Sequence, residues 1–309
     1  MFHHREKNAA GNFLRQEDQF RSWVMNDSSS RFPVASGRYH LYVSLACPWA
    51  HRTIIVRKLK KLENVIGMTV VDPIRDEQGW VFTDQKDPVN GFEYLSQAYV
   101  LTDSSYEARV TVPVLWDSET RQIVSNCDDD IMRMFNSAFD NLTGSNLDLY
   151  PVELRSEIDE VNDLIYSNVN DGVYRSGFAT TQKAYEVAVH KLFETLDLLE
   201  IRLSEHRYLI GNRITEADWR LFPTLVRFDA VYHGHFKCNL KCIIDYPNLY
   251  GYMCDLYYHD SVSETVDFDH IKRHYYMTHP EINPTKIVPV GPSFEFDASH
   301  NRDHLSNEF

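Results

Sequence analysis

His40-Leu41-Tyr42-Val43-Ser44-Leu45-Ala46-Cys47-Pro48-Trp49-Ala50-His51-Arg52 joins two patterns. A β-like apolar segment ends at Ser44. Apolar residues then recur at Ile54, Ile55, Leu59 and Leu62, a helical spacing that begins near Trp49. Cys47 therefore falls at or just before a helix N-terminus. Pro48 suits the first helical turn, where an N–H is unsatisfied anyway. Free N–H groups and the positive end of the helix dipole stabilise a thiolate there. Such a thiolate can attack an electrophilic sulfur. The plainer alternative is a buried structural cysteine, since free Cys is often buried.

Reading outward, residues 39–44 predict a strand, 49–63 a helix and 65–72 a second strand. Residues 73–106 are long and irregular, with Gly79, Trp80, Pro88 and Gly91. A loop of that length in a compact domain is usually functional. Val112-Pro113-Val114-Leu115-Trp116-Asp117 reads as a strand and Gln122-Ile123-Val124 as its hairpin partner. A helix then starts near Asn126 and runs through Ile131, Met134 and Phe135. This order is that of a thioredoxin-like domain.

After a turn at 142–146 the pattern becomes helical, most clearly over 151–170, 181–205, 215–231 and 248–258. Thr215 and Asp218 form a capping box, with Ile214 and Trp219 at the staple positions. Pro280, Pro284, Pro289 and Pro292 predict a coiled tail. The fold class is thus an α/β thioredoxin-like domain followed by an all-α domain. Expected divisions are a polar N-terminal extension at 1–35, the α/β domain at 36–142, the helical domain at 143–280 and coil at 281–309.

Lys and Arg number 31 and Asp and Glu 45, a net charge of −14, which argues against nucleic acid or an anionic membrane as partner. No apolar signal region follows Met1, and no run approaches a membrane span. Five cysteines in a long chain fit a reducing, cytoplasmic compartment better than a disulfide scaffold.

The chain resembles the glutathionyl-hydroquinone reductases, the omega-like Xi class of glutathione transferases. The resemblance runs from about residue 35 to Pro292. It rests on Cys47-Pro48-Trp49-Ala50, Asp76-Glu77-Gln78-Gly79-Trp80-Val81-Phe82, Thr111-Val112-Pro113-Val114-Leu115-Trp116-Asp117 and Gly172-Val173-Tyr174-Arg175-Ser176-Gly177-Phe178-Ala179. It continues through Thr215-Glu216-Ala217-Asp218-Trp219-Arg220-Leu221-Phe222 and Asp269-His270-Ile271-Lys272-Arg273-His274-Tyr275-Tyr276. The most telling stretch is Arg227-Phe228-Asp229-Ala230-Val231-Tyr232-His233-Gly234-His235-Phe236-Lys237-Cys238-Asn239. Cys-Pro-Trp-Ala alone is weak; the ordered set is specific.

The resemblance implies reduction of a glutathionyl-hydroquinone by a second glutathione, through a Cys47–glutathione mixed disulfide. The products are hydroquinone and oxidised glutathione. Tyr174 matches the family's general acid, and Tyr232 and Tyr275 match tyrosines that hydrogen-bond near the thiol. With 18 tyrosines in the chain, core filling is the plainer role for each. Trp80, Arg109, Val110, Thr111, Val112 and Pro113 match the glutathione-binding segment. Pro113 matches a cis-proline that exposes the Val112 backbone to the cysteinyl unit. Arg109 could hold a glutathione carboxylate; otherwise it is a solvated arginine, and Trp80 a loop anchor.

One pair departs from the family. Cys127-Asp128 stands where the family has Glu-Ser to bind the γ-glutamyl group. Cys127 supplies no charge to an amine, and Asp128 places a carboxylate where an anion should bind. Acids at a helix start also simply compensate the dipole. Asp128 could instead take over the amine contact.

His233, His235, Cys238 and Cys242 crowd together, yet their spacing is not a common closed zinc pattern, and no metal is expected. Arg57-Lys58-Leu59-Lys60-Lys61 reads as compensation of a helix C-terminus. Three function classes stay open. They are the reductase, a broader thiol transferase or dehydroascorbate reductase using Cys47, and a non-catalytic ligand-binding protein with a degraded pocket. A homodimer pairing through the helical domains is what the resemblance implies.

Overall fold

A computed structural model of the chain describes residues 7–83, 86–293 and 296–307. Residues 1–6 of the expected extension, 84 and 85 of the irregular stretch, and 294, 295, 308 and 309 of the expected tail lie outside these. The chain forms two compact units. Among the described residues, the first comprises 16–148 and 267–280; the second comprises 7–15, 149–266 and 281–307.

In the first unit β1 (Tyr39–Val43) leads into α1 (Pro48–Leu59), followed by β2 (Gly67–Val70), α2 (Ser96–Thr102), β3 (Val114–Asp117), β4 (Gln122–Ser125), α3 (Asp128–Ser137) and α4 (Asp140–Thr143). The sheet order is β2-β1-β3-β4, with β1 parallel to β2 and antiparallel to β3, and β3 antiparallel to β4. Leu41, Tyr42 and Val43 are fully buried, as are Val114, Leu115 and Trp116. That continuous burial is what strands carrying apolar residues at successive positions require. His40 faces Gly67 across the β1–β2 ladder, and a Cβ at Gly67 would meet His40 Nδ1 at 2.5 Å.

The basic run at the end of α1 does more than oppose the helix dipole. Arg57 Nε donates to the Ile66 carbonyl at 2.8 Å. The Lys60 side chain is fully buried, with Nζ 2.7 Å from Asp140 Oδ1. These cations fasten the helix end to a neighbouring carbonyl and a neighbouring carboxylate.

The irregular stretch is ordered by local pairs. Tyr94 OH donates to Asp76 at 2.9 Å, Asp76 bridges Gly79, and Val81 bridges Tyr94. The chain returns to this unit as α10 (Phe268–Thr278), after the second unit's helices.

The second unit holds α5 (Arg155–Ile165), α6 (Gly172–Gly177), α7 (Gln182–Glu205), α8 (Glu216–Arg227) and α9 (Pro247–Tyr258). Thr215 and Asp218 form the capping box of α8. Asp218 also accepts from Leu209 N at 2.9 Å and Tyr252 OH at 2.8 Å. Two helices expected to run on regularly widen instead into π-helical turns, Tyr166–Asn170 after α5 and Phe228–Tyr232 after α8. Asn170 Nδ2 donates to Thr224 Oγ1 at 2.7 Å and to the Arg220 carbonyl at 3.1 Å, tying the first turn to α8. The tail is anchored through Arg302. Arg302, 2% exposed, donates to the carbonyls of Leu203, His206, Arg207 and Asn248. Among the described residues no helix is long and apolar enough to cross a membrane.

Candidate active site

Cys47 is the N-cap of α1, with extended φ −78° and ψ 122°, and Pro48 opens the helix. Its carbonyl accepts the first helical bond from His51 N at 3.0 Å, and its own N–H donates to Ser44 O at 3.1 Å. The thiol is half-buried. The antiparallel register pairs Tyr42 with Val114; continued two residues, it brings the chain at 112 opposite Ser44. The Val112–Pro113 bond there is cis, and Cys47 Sγ lies 3.5 Å from the Val112 carbonyl oxygen.

The segment 109–112 is held from behind. Arg109 N donates to Gln16 Oε1 at 2.8 Å, and its carbonyl accepts from Tyr106 OH at 2.6 Å. Tyr99 OH donates to Thr111 O at 2.9 Å, and Asn126 Nδ2 donates to Thr111 Oγ1 at 3.2 Å. Val110 and Val112 are buried. This clamp presents the backbone around the cis bond beside the thiol.

Cys127 repeats the local geometry of Cys47 with a different outcome. It is the N-cap of α3, and its N–H donates to Ser125 Oγ at 3.1 Å. It is 5% exposed. Burial, and then the charge of Asp128, push its thiol far up. Desolvation outweighs the helix N-terminus here. Three acids follow, and each has a cation. Arg52 Nη1 lies 2.8 Å from Asp128 Oδ2 and 3.6 Å from Asp129 Oδ1. Arg21 binds Asp130 through two bonds, at 2.7 and 2.9 Å. The Arg52 guanidinium also sits over the Trp49 ring, 4.5 Å from its centroid.

Trp80 is 5% exposed. It stacks on His274 of α10 with centroids 5.1 Å apart and planes at 16°, and Arg75 lies 5.2 Å from its ring. His274 Nδ1 is 2.6 Å from the Pro73 carbonyl oxygen. Tyr275, next on α10, is buried against His274 and His279.

Tyr174 and Tyr232 belong to the second unit, and there they meet. Their ring centroids are 6.1 Å apart. Phe236 stacks on Tyr232 at 5.6 Å and packs edgewise on Tyr174 at 5.4 Å. Phe13 and Phe178 complete the cluster, 6.4 and 6.2 Å from Tyr174. Tyr174 is half-exposed on the six-residue α6, whereas Tyr232 ends the π turn and is fully buried. A Cβ at Gly177 would stand 2.2 Å from Phe236 Cγ, so this glycine lets the Phe236 ring reach the cluster.

Sequence reasoning missed Arg15, Phe13, Phe236 and Arg52 as members of these constellations. Arg52 stood in the decisive run; the signal was an arginine one turn past a helix-capping cysteine with acids unaccounted for elsewhere. Arg15 carried no local signal, because its partner Asp171 lies in a distant stretch. Cys238 is buried, with its thiol pushed up to about 12 by burial. Among the described residues no group of three or more His, Cys, Asp or Glu side chains is placed to hold a metal ion.

Comparison with known proteins agrees with this architecture. Residues 182–253 match the family described as Glutathione S-transferase, C-terminal domain. The chain is 50% identical over 308 residues to the glutathionyl-hydroquinone reductase YqjG of Escherichia coli K12, covering 96% of this chain and 94% of that one. It is also 50% identical over 291 residues to the glutathionyl-hydroquinone reductase PcpF of Sphingobium chlorophenolicum, covering 93% and 92%. The crystal structure of the glutathione-S-transferase Xi from Phanerochaete chrysosporium superposes with a TM-score of 0.90 at 51% identity, covering 93% and 94% of the two chains. A glutathione-bound structure of YqjG superposes with a TM-score of 0.89 at 51% identity, covering 92% and 96%. With its α/β unit, its helical unit and this level of identity along nearly its whole length, the chain belongs to the Xi class of glutathione transferases, the family of the glutathionyl-hydroquinone reductases.

Proposed function

We infer that this chain is a glutathionyl-hydroquinone reductase that uses glutathione as co-substrate. One observation carries the reading: half of its residues are shared with two glutathionyl-hydroquinone reductases over more than nine-tenths of its length.

We further propose the following roles. Cys47 attacks the glutathione sulfur of the substrate. The sulfur–ring bond breaks, its electron pair stays on the ring carbon, and Tyr174 gives that carbon a proton. A second glutathione then attacks the Cys47 mixed disulfide and leaves as oxidised glutathione, regenerating the thiolate. Tyr232 and Tyr275 support the thiolate by hydrogen bonding. The backbone of Val110, Thr111 and Val112 beside the cis bond, with Arg109 and Trp80, holds the tripeptide, and Cys127 and Asp128 meet its γ-glutamyl end. The helix-capping place of Cys47 and its 3.5 Å approach to Val112 O support the first role.

The third reading, a degraded pocket, rests on Cys127 and Asp128 standing in place of the family pair. Arg52 balances the charge of Asp128, which removes the repulsive half of that support. The broader thiol transferase would use the same Cys47 chemistry without a ring proton. The decisive experiment is mass spectrometry of the protein incubated with glutathionyl-hydroquinone. A single glutathione adduct on Cys47, released by a second glutathione, is expected; an adduct on another cysteine, or none, overturns the mechanism. We also propose a cytoplasmic, twofold homodimer with an isologous interface. Light scattering that gives a monomer at micromolar concentration contradicts the dimer.

A further inference from the structure

Arg15 stands in the short N-terminal segment of the second unit, far in sequence from the residues it meets. Its Nε donates to Asp171 Oδ1 at 2.7 Å. Its guanidinium carbon lies 4.8 Å from the centroid of the Tyr174 ring and 5.3 Å from that of Phe13. Asp171 immediately precedes α6 and Tyr174 is three residues on, so both project from one side of the same turn. The carboxylate thereby aims the guanidinium at the ring face. Asp171 is shared, because Arg175 Nε lies 3.5 Å from its other oxygen. Two guanidinium groups thus share one carboxylate next to Tyr174. Phe13, Phe178 and Phe236 also pack on the ring, with the Tyr232 phenol, and the Tyr166 phenol also acts on Arg15.

We propose that Arg15 is a positioning residue for the reductase reaction: clamped by Asp171 over the Tyr174 ring, it fixes that ring and stabilises the phenolate left when Tyr174 gives up its proton. This rests on the reading of Tyr174 as proton donor. A cation near the face of a phenol is attracted more strongly to the anionic than to the neutral ring. When the sulfur–carbon bond breaks, the ring carbon gains the electron pair and takes the Tyr174 proton. The negative charge then rests on the Tyr174 oxygen until solvent reprotonates it. A neighbouring guanidinium makes Tyr174 a stronger acid and so a better donor near neutral pH.

The test compares Arg15→Gln and Arg15→Lys with the native protein, on glutathionyl-hydroquinone and on a simple glutathionyl alkyl disulfide. The first substrate needs a ring proton; the second does not. Arg15→Gln is expected to slow hydroquinone release roughly tenfold and move the alkaline limb of its pH profile up by about one unit, the effect of removing one nearby cation. Arg15→Lys should restore part of both, and the disulfide reaction should stay nearly unchanged with either variant. An unmoved limb, or equal loss on both substrates, overturns the proposal. If Arg15→Gln does not fold, Arg15→Lys decides alone, because its less well placed charge must still move the limb upward. Tyr174→Phe run in parallel separates the two ideas. A selective loss there with no shift in Arg15→Gln removes only the role of Arg15. Equal loss on both substrates in Tyr174→Phe removes the donor reading and this proposal with it.

Discussion

Arg52 reaches from the second turn of α1 to Asp128 at the start of α3, closing to 2.8 Å with a guanidinium only 2% exposed. The helix that begins at Cys47 is thereby tied to the helix that begins at Cys127. Asp128 is 14% exposed and Asp129 stands 3.6 Å from the same nitrogen. A carboxylate placed where an anion should bind is expected to repel it, but a buried cation 2.8 Å away cancels most of that field.

The first prediction concerns the strength of this tie. Asp128→Asn leaves a buried guanidinium facing a neutral amide. Breaking a buried pair from one side commonly costs about 3–5 kcal/mol. Asp129 can move in to take over, so a loss of about 1–3 kcal/mol is expected here. Urea denaturation measures it; an unchanged midpoint would show that Asp129 alone suffices.

The second concerns glutathione. If Asp128 repelled the γ-glutamyl carboxylate unopposed, the family pair restored by Cys127→Glu and Asp128→Ser would gain about 1.5–3 kcal/mol, roughly ten- to hundred-fold in affinity. With Arg52 balancing Asp128, a gain of less than about tenfold is expected, seen in KM rather than kcat. Calorimetric titration of both forms decides. A gain near a hundredfold would mean that Asp128 acts as an unbalanced charge.

Much of the first unit was legible because its signals are local. The run from His40 to Arg52 carries the end of β1, the proline that opens α1 and the cysteine that caps it. The Thr215–Asp218 box likewise announces α8 within four residues. What stayed hidden depends on partners far along the chain. α2 lies in a stretch without apolar periodicity and is fixed by Tyr99 bonding to Thr111. Asn170 in the first π turn bonds to Thr224, more than fifty residues on, and no residue spacing announces the added residue in either π turn. At the candidate site the helix-capping place of Cys47 could be read from the local residues, and the cis bond at Pro113 only through the family resemblance. The balance of the three acids by Arg52 and Arg21, and the hold of Arg15 on Asp171, required the fold.

The third prediction uses Gly177. Any Cβ there collides with the Phe236 ring, which packs on Tyr174, Phe178 and Tyr232. Gly177→Ala should cost about 1–3 kcal/mol through overpacking. It should also displace the Tyr174 neighbourhood, so hydroquinone release should fall more than reduction of a simple disulfide. Thermal melting and the two assays check this together; an unchanged melting temperature would mean that the ring moves aside freely.

The fourth concerns pH and stability. Burial pushes His40 down to about 4, with Arg57 adding to the effect and Asp87 opposing it. Burial, then the charge of Lys237, pushes His235 down to about 4. Unfolded histidine titrates near 6.5. Below about pH 6.5 the unfolded chain therefore binds protons that the folded chain refuses. Stability from these groups is complete above about pH 6.5, falls as pH drops toward about 4, and falls no further below that. His40→Gln should flatten this slope relative to the native chain in urea titrations at about pH 7 and about pH 5. Parallel slopes would remove His40 from the account.

The fifth sets the five cysteines against one another. Burial pushes the thiols of Cys127, Cys238, Cys242 and Cys254 upward, and the charges of Asp128 on Cys127 and of Asp229 on Cys242 push the same way. All four are therefore neutral thiols near pH 7, and a neutral thiol is a poor nucleophile. Cys47 alone combines a helix N-cap, partial exposure and the neighbouring cis-proline segment. Limited alkylation near pH 7 should accordingly mark Cys47 first, at a thiol pKa below that of free cysteine. Cys47→Ser and Cys47→Ala should each abolish reductase turnover with the circular-dichroism spectrum unchanged, and the agreement of the two excludes an effect peculiar to serine. Cys127→Ser should keep most of kcat, since its thiol gives nothing to the chemistry, and any loss should fall on the glutathione KM. First labelling at Cys127, or turnover surviving in Cys47→Ser, would move the nucleophile away from α1 and end the proposed mechanism.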